Sequence, residues 1–511
     1  MNFSSNVLSI VNSGLLVYCL ALAPSAWAVD CTPADITLAS QAEVDNFQAN
    51  HGPCDSVANE LRIEGEDIVN LAALSGLITI RDLNLRHNAQ LAQLDGLSAL
   101  TELSGLWLTG NDVLLNLQGM TALERVGTLY IVNNPSLTSL EGLSPLTQLS
   151  DTTLRGNPSL VSLNGLQNIR HVRGNWFEII DNDALLTLNS LASLETVTGS
   201  LIIGGNDALE NIDGLSSLSL VGIESIYNLE ISQNTALTNL DGLSSLTELE
   251  GGLLITLNDS LSSLGGLSSL TRVGAIMLVA ANPVVTNLNG FSAMESAGGL
   301  MVINNQTLAD CQGIVKLIDP VDDFEPGPGP GISGIPDISG PIPVAIENNA
   351  AGCNSTLGIL GKVPLAEMNA GLNDAWFNLE TNGQGFLIIV FPEIEQIFMA
   401  WFTYDTQRPP DNVLAILGEP GHRWLTAQGS YQGAAALLEI SNTFGGIFDS
   451  PLPETSTVPA GEILLEFSNC NSGTVSYDMP SIGLQSIVSI ERITLDNVSL
   501  CYLLANSETP P

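Results

Sequence analysis

An asparagine recurs along this 511-residue chain at Asn88, Asn111, Asn134, Asn157, Asn182, Asn206, Asn234, Asn258, Asn282 and Asn305, in steps of 23, 23, 23, 25, 24, 28, 24, 24 and 23 residues. A repeat of that length specifies a solenoid, in which each unit buries its apolar face only by stacking on its neighbours. The apolar residues keep a constant register to each Asn. Around Asn134 they are Leu129 and Ile131 before it, then Leu137, Leu140, Leu143, Leu146 and Leu149; around Asn258 they are Leu253, Ile255, Leu261, Leu264, Leu267, Leu270 and Val273. The alternating pair before the Asn reads as a short strand, and strands stacked in parallel rise by roughly 4.8 Å per turn. The steps of three that follow fit tight, non-helical coil returning to the next strand.

An amide both donates and accepts, so a buried Asn row is expected to satisfy backbone groups at the turn after each strand. A second column, eight residues later, holds Gly96, Gly119, Gly142, Gly165, Gly214, Gly242, Gly266, Gly290 and Gly313, with Ser190 breaking it. A fixed glycine implies a corner that needs positive φ. An irregular first unit at 61–66 carries Glu66 in the Asn position, and a last unit at 344–349 resumes the pattern, which gives twelve turns.

Stretches such as Val126-Gly127-Thr128-Leu129-Tyr130-Ile131-Val132-Asn133-Asn134 and Asp241-Gly242-Leu243-Ser244-Ser245-Leu246 resemble the leucine-rich solenoids, and most closely the receptor L domain, a ligand-binding module of growth-factor-type receptors also met in bacterial surface proteins. The resemblance covers roughly residues 59–356. The units lack the longer segment a convex-side helix needs, which favours the all-β form. What the family implies is binding through a face or edge of the solenoid, without chemistry.

Residues 14–23 are apolar and Ala26-Trp27-Ala28 is an A-x-A cleavage site, so residues 1–28 read as a secretory signal peptide, although no Lys or Arg supplies a basic n-region. Cys19 belongs to that apolar segment. No other run reaches roughly 18 apolar residues, so no membrane span is expected in the mature chain. The six remaining cysteines are an even number, as secreted proteins favour. Cys31 and Cys54 precede the first turn, Cys311 takes a core Leu position, Cys353 follows the last turn, and Cys470 and Cys501 share the C-terminal region. Local pairing 31–54, 311–353 and 470–501 would staple the two open ends of the solenoid and close the last domain. Zinc is disfavoured, since no C-x-x-C occurs and there are only four His. No cofactor is expected.

The expected organisation is a signal peptide at 1–28, a disulfide cap at 29–58, the solenoid at 59–318, a Pro/Gly-rich insertion at 319–343, a last turn and cap at 344–358, and a C-terminal domain at 363–505. The fold class is mainly β: a right-handed parallel β solenoid followed by an antiparallel β sandwich or barrel. Net charge is −41, from 54 acidic and 13 basic residues, which repels nucleic acid and anionic membranes. That acidity reads as a solvated extracellular surface in preference to cation binding, for no ordered calcium loop is present. The densest acidic group, Asp319, Asp322, Asp323 and Glu325, lies inside the insertion.

In the C-terminal domain, apolar runs at 385–391, 396–404, 434–440 and 462–467 alternate with turn residues, as strands of an antiparallel sheet do. The pattern from Ala375-Trp376-Phe377 to Ala400-Trp401-Phe402-Thr403-Tyr404 is similar to a C-terminal module of secreted bacterial proteins. Asp405, His422 and Ser430 supply triad residue types, but no nucleophile-elbow motif is present. Leu452-Pro453-Glu454-Thr455-Ser456 departs from a sortase signal and reads as a loop.

Strand residues that alternate away from the core form two outward columns. Four positions before each Asn stand Asn84, Trp107, Tyr130, Thr153, Glu178, Ile202, Glu230, Leu254, Leu278 and Met301; two positions before stand Arg86, Thr109, Val132, Arg155, Ile180, Gly204, Ser232, Thr256, Ala280 and Ile303. Arg86, Trp107, Tyr130 and Arg155 are the residue types that anchor interfaces, and form the candidate ligand-binding set. Leu254, Leu278, Met301 and Ile303 are expected to be covered, by the C-terminal domain or the insertion. The expected function is a secreted or cell-surface recognition protein that binds an extracellular protein or glycan without catalysis. A structural or adhesive envelope component is the alternative, and a hydrolase acting through the C-terminal domain a third.

Overall fold

A computed structural model describes residues 29–224, 226–318, 344–360, 362–381, 384–404, 422–444 and 454–506. The signal peptide and the 319–343 insertion therefore lie outside the described residues, as does the acidic group at 319–325.

The repeats form a 14-stranded, all-parallel sheet whose main strands follow one another in chain order. Twelve rungs correspond to the twelve expected turns. A thirteenth, Ile36–Leu38, comes from the cap segment and pairs with Leu61–Ile63. Each rung is in register with the next, so Leu83, Leu106 and Leu129 align in one column and Leu85, Leu108 and Ile131 in another. All six are fully buried. Midway along the solenoid the preceding arm separates into short strands at 148–149, 171–172, 196–197 and 220–221, which pair in parallel as a second sheet.

The return segments are not plain coil. In most units three residues form one 3-10 turn, as at Asp95–Leu97, Asp213–Leu215 and Asp241–Leu243. Three residues per turn is the 3-10 period, which is why the leucines recur in threes. No α-helix occurs among the described residues of 56–318.

The glycine column needs a correction. Only Gly142 and Gly165 have positive φ, +116° and +119°. The column exists because the corners stack too closely for a side chain: a Cβ on Gly96, Gly214 or Gly266 would overlap the carbonyl of Leu71, Leu188 or Leu240 in the turn before. The positive φ falls elsewhere, on the residue just before each ladder Asn: His87, Gly110, Asn133, Gly156, Asp181, Gly205, Gln233, Leu257, Ala281, Asn304 and Asn348, all between +52° and +65°.

Both ends are capped. Helices Gln41–Asp45 and Phe47–His51 bury Val44 and Phe47 against the first turn, and the Gln48 amide exchanges two hydrogen bonds with the Cys54 backbone. The cystines are Cys31–Cys54, Cys311–Cys353 and Cys470–Cys501, with Cα–Cα separations of 5.0, 5.5 and 5.9 Å. Helix Thr356–Leu360 packs on the last 3-10 turn, Gln312–Leu317, and on the C-terminal helix Val498–Asn506, joining the solenoid's end to the second domain.

That domain is a closed barrel of eight antiparallel strands in sequential order, from Asp374–Phe377 to Leu484–Arg492, sealed by the pairing of Trp376 with Arg492. Trp376, Ile388, Met399, Leu438, Ile440 and Leu465 fill its interior. A buried guanidinium closes the seam: Arg492 donates to Asp374 Oδ2 at 2.6 Å and to the carbonyls of Gly371 and Cys470, and lies 4.7 Å over the Trp376 ring. Burial lowers the Arg492 pKa below the ordinary value for arginine, and the Asp374 charge opposes that shift.

Candidate functional site

The asparagines work as a ladder. Asn134 Oδ1 accepts from both the backbone N–H and the Nδ2 of Asn111, each at 3.1 Å, while Asn134 Nδ2 donates to the carbonyls of Leu108 and Val132 at 3.0 and 3.1 Å. The bonds to the next Asn and to the carbonyl of the preceding turn recur from Asn88 to Asn305, and the bond to the carbonyl two residues earlier from Asn134 onward, every amide fully buried. At the N-terminal end Gly65, not Glu66, donates to Asn88 Oδ1 at 3.0 Å, so Glu66 takes no part in the ladder. With every turn locked to the next, the outward side chains are held in fixed columns.

Within those columns Trp107 and Tyr130 are direct register partners on the adjacent strands Glu102–Thr109 and Arg125–Val132. Tyr130 is 36% exposed and Trp107 half-buried. The six-membered ring of the indole lies over Gly105, where a Cβ would overlap Cζ3 and Cη2, so glycine there lets the ring settle onto the sheet. On one side Arg86 Nε donates to Asn84 Oδ1 at 3.2 Å, and Asn84 Nδ2 donates to Glu60 Oε1 at 2.9 Å. Glu60 also pairs with Arg62 at 3.1 Å. On the other side Arg155, which is exposed, sits 3.5 Å from Asp181, and Thr153 donates to Glu178 at 3.0 Å. The structure thus brings Trp107 and Tyr130 together. It places Arg86 and Arg155 three strands apart in the neighbouring column, each facing a carboxylate. The Asp82 carboxyl beside this network is raised above its ordinary value, chiefly by burial, with Glu60 adding and Arg81 opposing.

In the apolar half, Leu254 is buried and Leu278, Met301 and Ile303 are half-buried. Part of that cover is mutual. Leu254, Leu278, Met301 and Ala345 are successive register partners, and side chains about 4.8 Å apart shield one another. The principal contacts of the second domain with the solenoid are at its end, through Thr356–Leu360.

Two features were not singled out in the sequence. Trp176, six positions before Asn182, is 41% exposed. Near it, the 28-residue step from Asn206 to Asn234 carries extra residues that expose Ile223 and Ile226, and the Tyr227 hydroxyl donates to Asn175 Oδ1 at 2.9 Å. The long step was the available signal. In the barrel, the triad residue types do not converge: His422 and Ser430 lie on one extended strand, His422–Gln432, so eight residues put roughly 26 Å between their Cα atoms. Asp405 and the His422 side chain are outside the described residues. Among the described residues no group of three or more His, Cys, Asp or Glu could hold a metal ion, and no helix is long and apolar enough to cross a membrane.

A comparison with curated proteins gives no significant match. Residues 170–262, inside the stacked turns, match the family model of the receptor L domain. The matched segment includes Trp176 and the long step, while Trp107 and Tyr130 precede it. It makes that part of the solenoid similar to a ligand-binding receptor module.

Proposed function

We propose that this chain is a secreted or cell-surface recognition protein that binds an extracellular protein or glycan on its solenoid sheet, without catalysis. The observation that carries the reading is the Trp107–Tyr130 pair, aligned across two strands of a rigid sheet beside an Arg86–Asn84–Glu60 network. Large amphipathic rings on a preordered surface lose little entropy on binding, which is why such residues dominate interface energetics. The receptor L domain match at 170–262 and the three cystines agree with a binding role outside the cell.

A glycan array and a pull-down from cell extract with the full chain test this directly. A specific ligand captured by the wild type should be lost from the Trp107→Ala/Tyr130→Ala double variant, with its Tm within a few degrees of wild type. A double variant that keeps every ligand captured by the wild type overturns the assignment of the site to this part of the sheet.

A further inference from the structure

The barrel carries a row of aromatic side chains on its outer wall. Register places Phe377 beside Gly385, Gly385 beside Phe402, and Phe402 beside Trp424, so the four lie in one row across consecutive strands. Trp401 and Leu425, the next residue along each strand, point inward and are 5% and 7% exposed; Phe402 and Trp424 point outward and are 45% and 63% exposed. Their rings are 5.7 Å apart between centroids and inclined by 34°. Gly385 floors a gap between Phe377 and Phe402: the one atom near a side chain built there is the Trp376 carbonyl oxygen, at 3.0 Å. Hydrogen-bonding groups stand at the two ends of the row. Glu491, exposed, is the register partner of Phe377. Beyond Trp424, Thr443 and Thr457 are register partners whose hydroxyls are 2.9 Å apart.

We propose that this row, Phe377–Gly385–Phe402–Trp424 with Glu491 and Thr443 at its ends, is a second binding site, for a neutral glycan chain. Aromatic faces present broad apolar surface to the C–H faces of pyranose rings, and the hydroxyls that project from a sugar's edges need partners at the rim. Carboxylate and threonine oxygens supply them. The wall is rigid, because each residue of the row is fixed by barrel pairing, so stacking requires little ordering. Charge selects the ligand class. A chain of net charge −41 with a carboxylate at one end of the row repels polyanions, and none of the row's described side chains is cationic.

Affinity electrophoresis and depletion of the full chain on neutral polysaccharides (β-glucan, α-glucan, galactomannan, chitin), with alginate as the anionic comparison, test the site. The wild type should be retarded by at least one neutral polysaccharide, independently of salt, and not by alginate. Trp424→Ala and Phe402→Ala, both at exposed positions, should each weaken retardation at least tenfold with unchanged Tm. The Trp107→Ala/Tyr130→Ala variant should be retarded like wild type, which separates this site from the solenoid sheet. Absence of retardation on every neutral polysaccharide, its survival in the Phe402→Ala/Trp424→Ala double variant, or preference for alginate overturns the proposal. So does a wild-type dimer that becomes a monomer in the double variant without polysaccharide, since the row would then be an interface between two copies.

Discussion

Asn305 and Asn349 are 44 residues apart in sequence, yet the backbone N–H and Nδ2 of Asn305 both donate to Asn349 Oδ1, at 2.9 and 3.1 Å. The ladder therefore crosses the insertion as though the chain were continuous. Asn349 in turn donates its backbone N–H to Asn354 Oδ1 at 3.0 Å and its Nδ2 to the Cys353 carbonyl at 3.0 Å, so the last rung ends on the cystine that caps the solenoid. Structural continuity follows the register of buried amides.

The ladder predicts a sharp difference between inward and outward sites. Asn134→Leu would strand the Asn111 N–H and take the Asn134 amide donor from the Leu108 carbonyl, while the Val132 carbonyl keeps the Gly110 N–H. At roughly 1–3 kcal/mol for each unsatisfied buried group, a loss of about 3–5 kcal/mol is expected. Thr109→Val, on the outward side of a neighbouring strand, should cost less than about 0.5 kcal/mol. Equal, small shifts of the two denaturant midpoints would contradict the ladder's role.

The two special backbone columns can be separated by substitution. Gly266 is confined by the Leu240 carbonyl, so Gly266→Ala is expected to destabilise by about 1–3 kcal/mol through overpacking. Leu257 is the converse case. Its φ is +58° and its side chain is 46% exposed, so Leu257→Asn should stabilise by about 0.5–1 kcal/mol by relieving left-handed strain. Thermal melts that leave Gly266→Ala at wild-type stability, or that lower the Tm of Leu257→Asn, would show the columns misassigned.

The repeat was legible because stacking acts on composition: a buried amide row and a close-packed corner each tolerate one residue type, and periodicity exposes both. The conformational cause at the corner was not legible, since close approach and positive φ both select glycine and differ only in the folded backbone. The left-handed column went unseen for the opposite reason. It is occupied by His, Asn, Asp, Gln, Leu and Ala as well as Gly, because the ladder bonds on either side hold the turn whatever the residue. Trp107 and Tyr130 could be placed from alternation alone. The barrel row could not, because its members come from four strands whose register is set by hairpin lengths that sequence does not fix.

The cystine at the far end should matter more than its position suggests. Cys311–Cys353 closes a loop spanning 42 residues, and removing such a constraint releases chain entropy worth about 4 kcal/mol on a loop-closure estimate. It also opens the last rung, where Cys353 accepts from Asn349. In Cys311→Ser/Cys353→Ser, hydrogen exchange at Ile303, Asn305 and Ile346 should speed up, while exchange at Leu129 stays as in wild type. Uniform acceleration along the solenoid would mean that the turns unfold as one unit and the cap has no local effect.

Arg492 offers the clearest test of what holds the barrel closed. Its side chain is fully buried, its partner Asp374 is 13% exposed, and its donors also reach the carbonyls of Gly371 and Cys470 across the seam. Arg492→Met leaves the carboxylate without its cation and two carbonyls without donors, so a loss of about 3–5 kcal/mol is expected. Arg492→Lys should recover little, since one ammonium cannot span three acceptors set at guanidinium geometry. Adding Asp374→Leu to Arg492→Met should restore part of the loss by removing the unpaired charge. A double-mutant cycle in which the two losses simply add would show that Arg492 acts by packing on Trp376 alone, independently of Asp374.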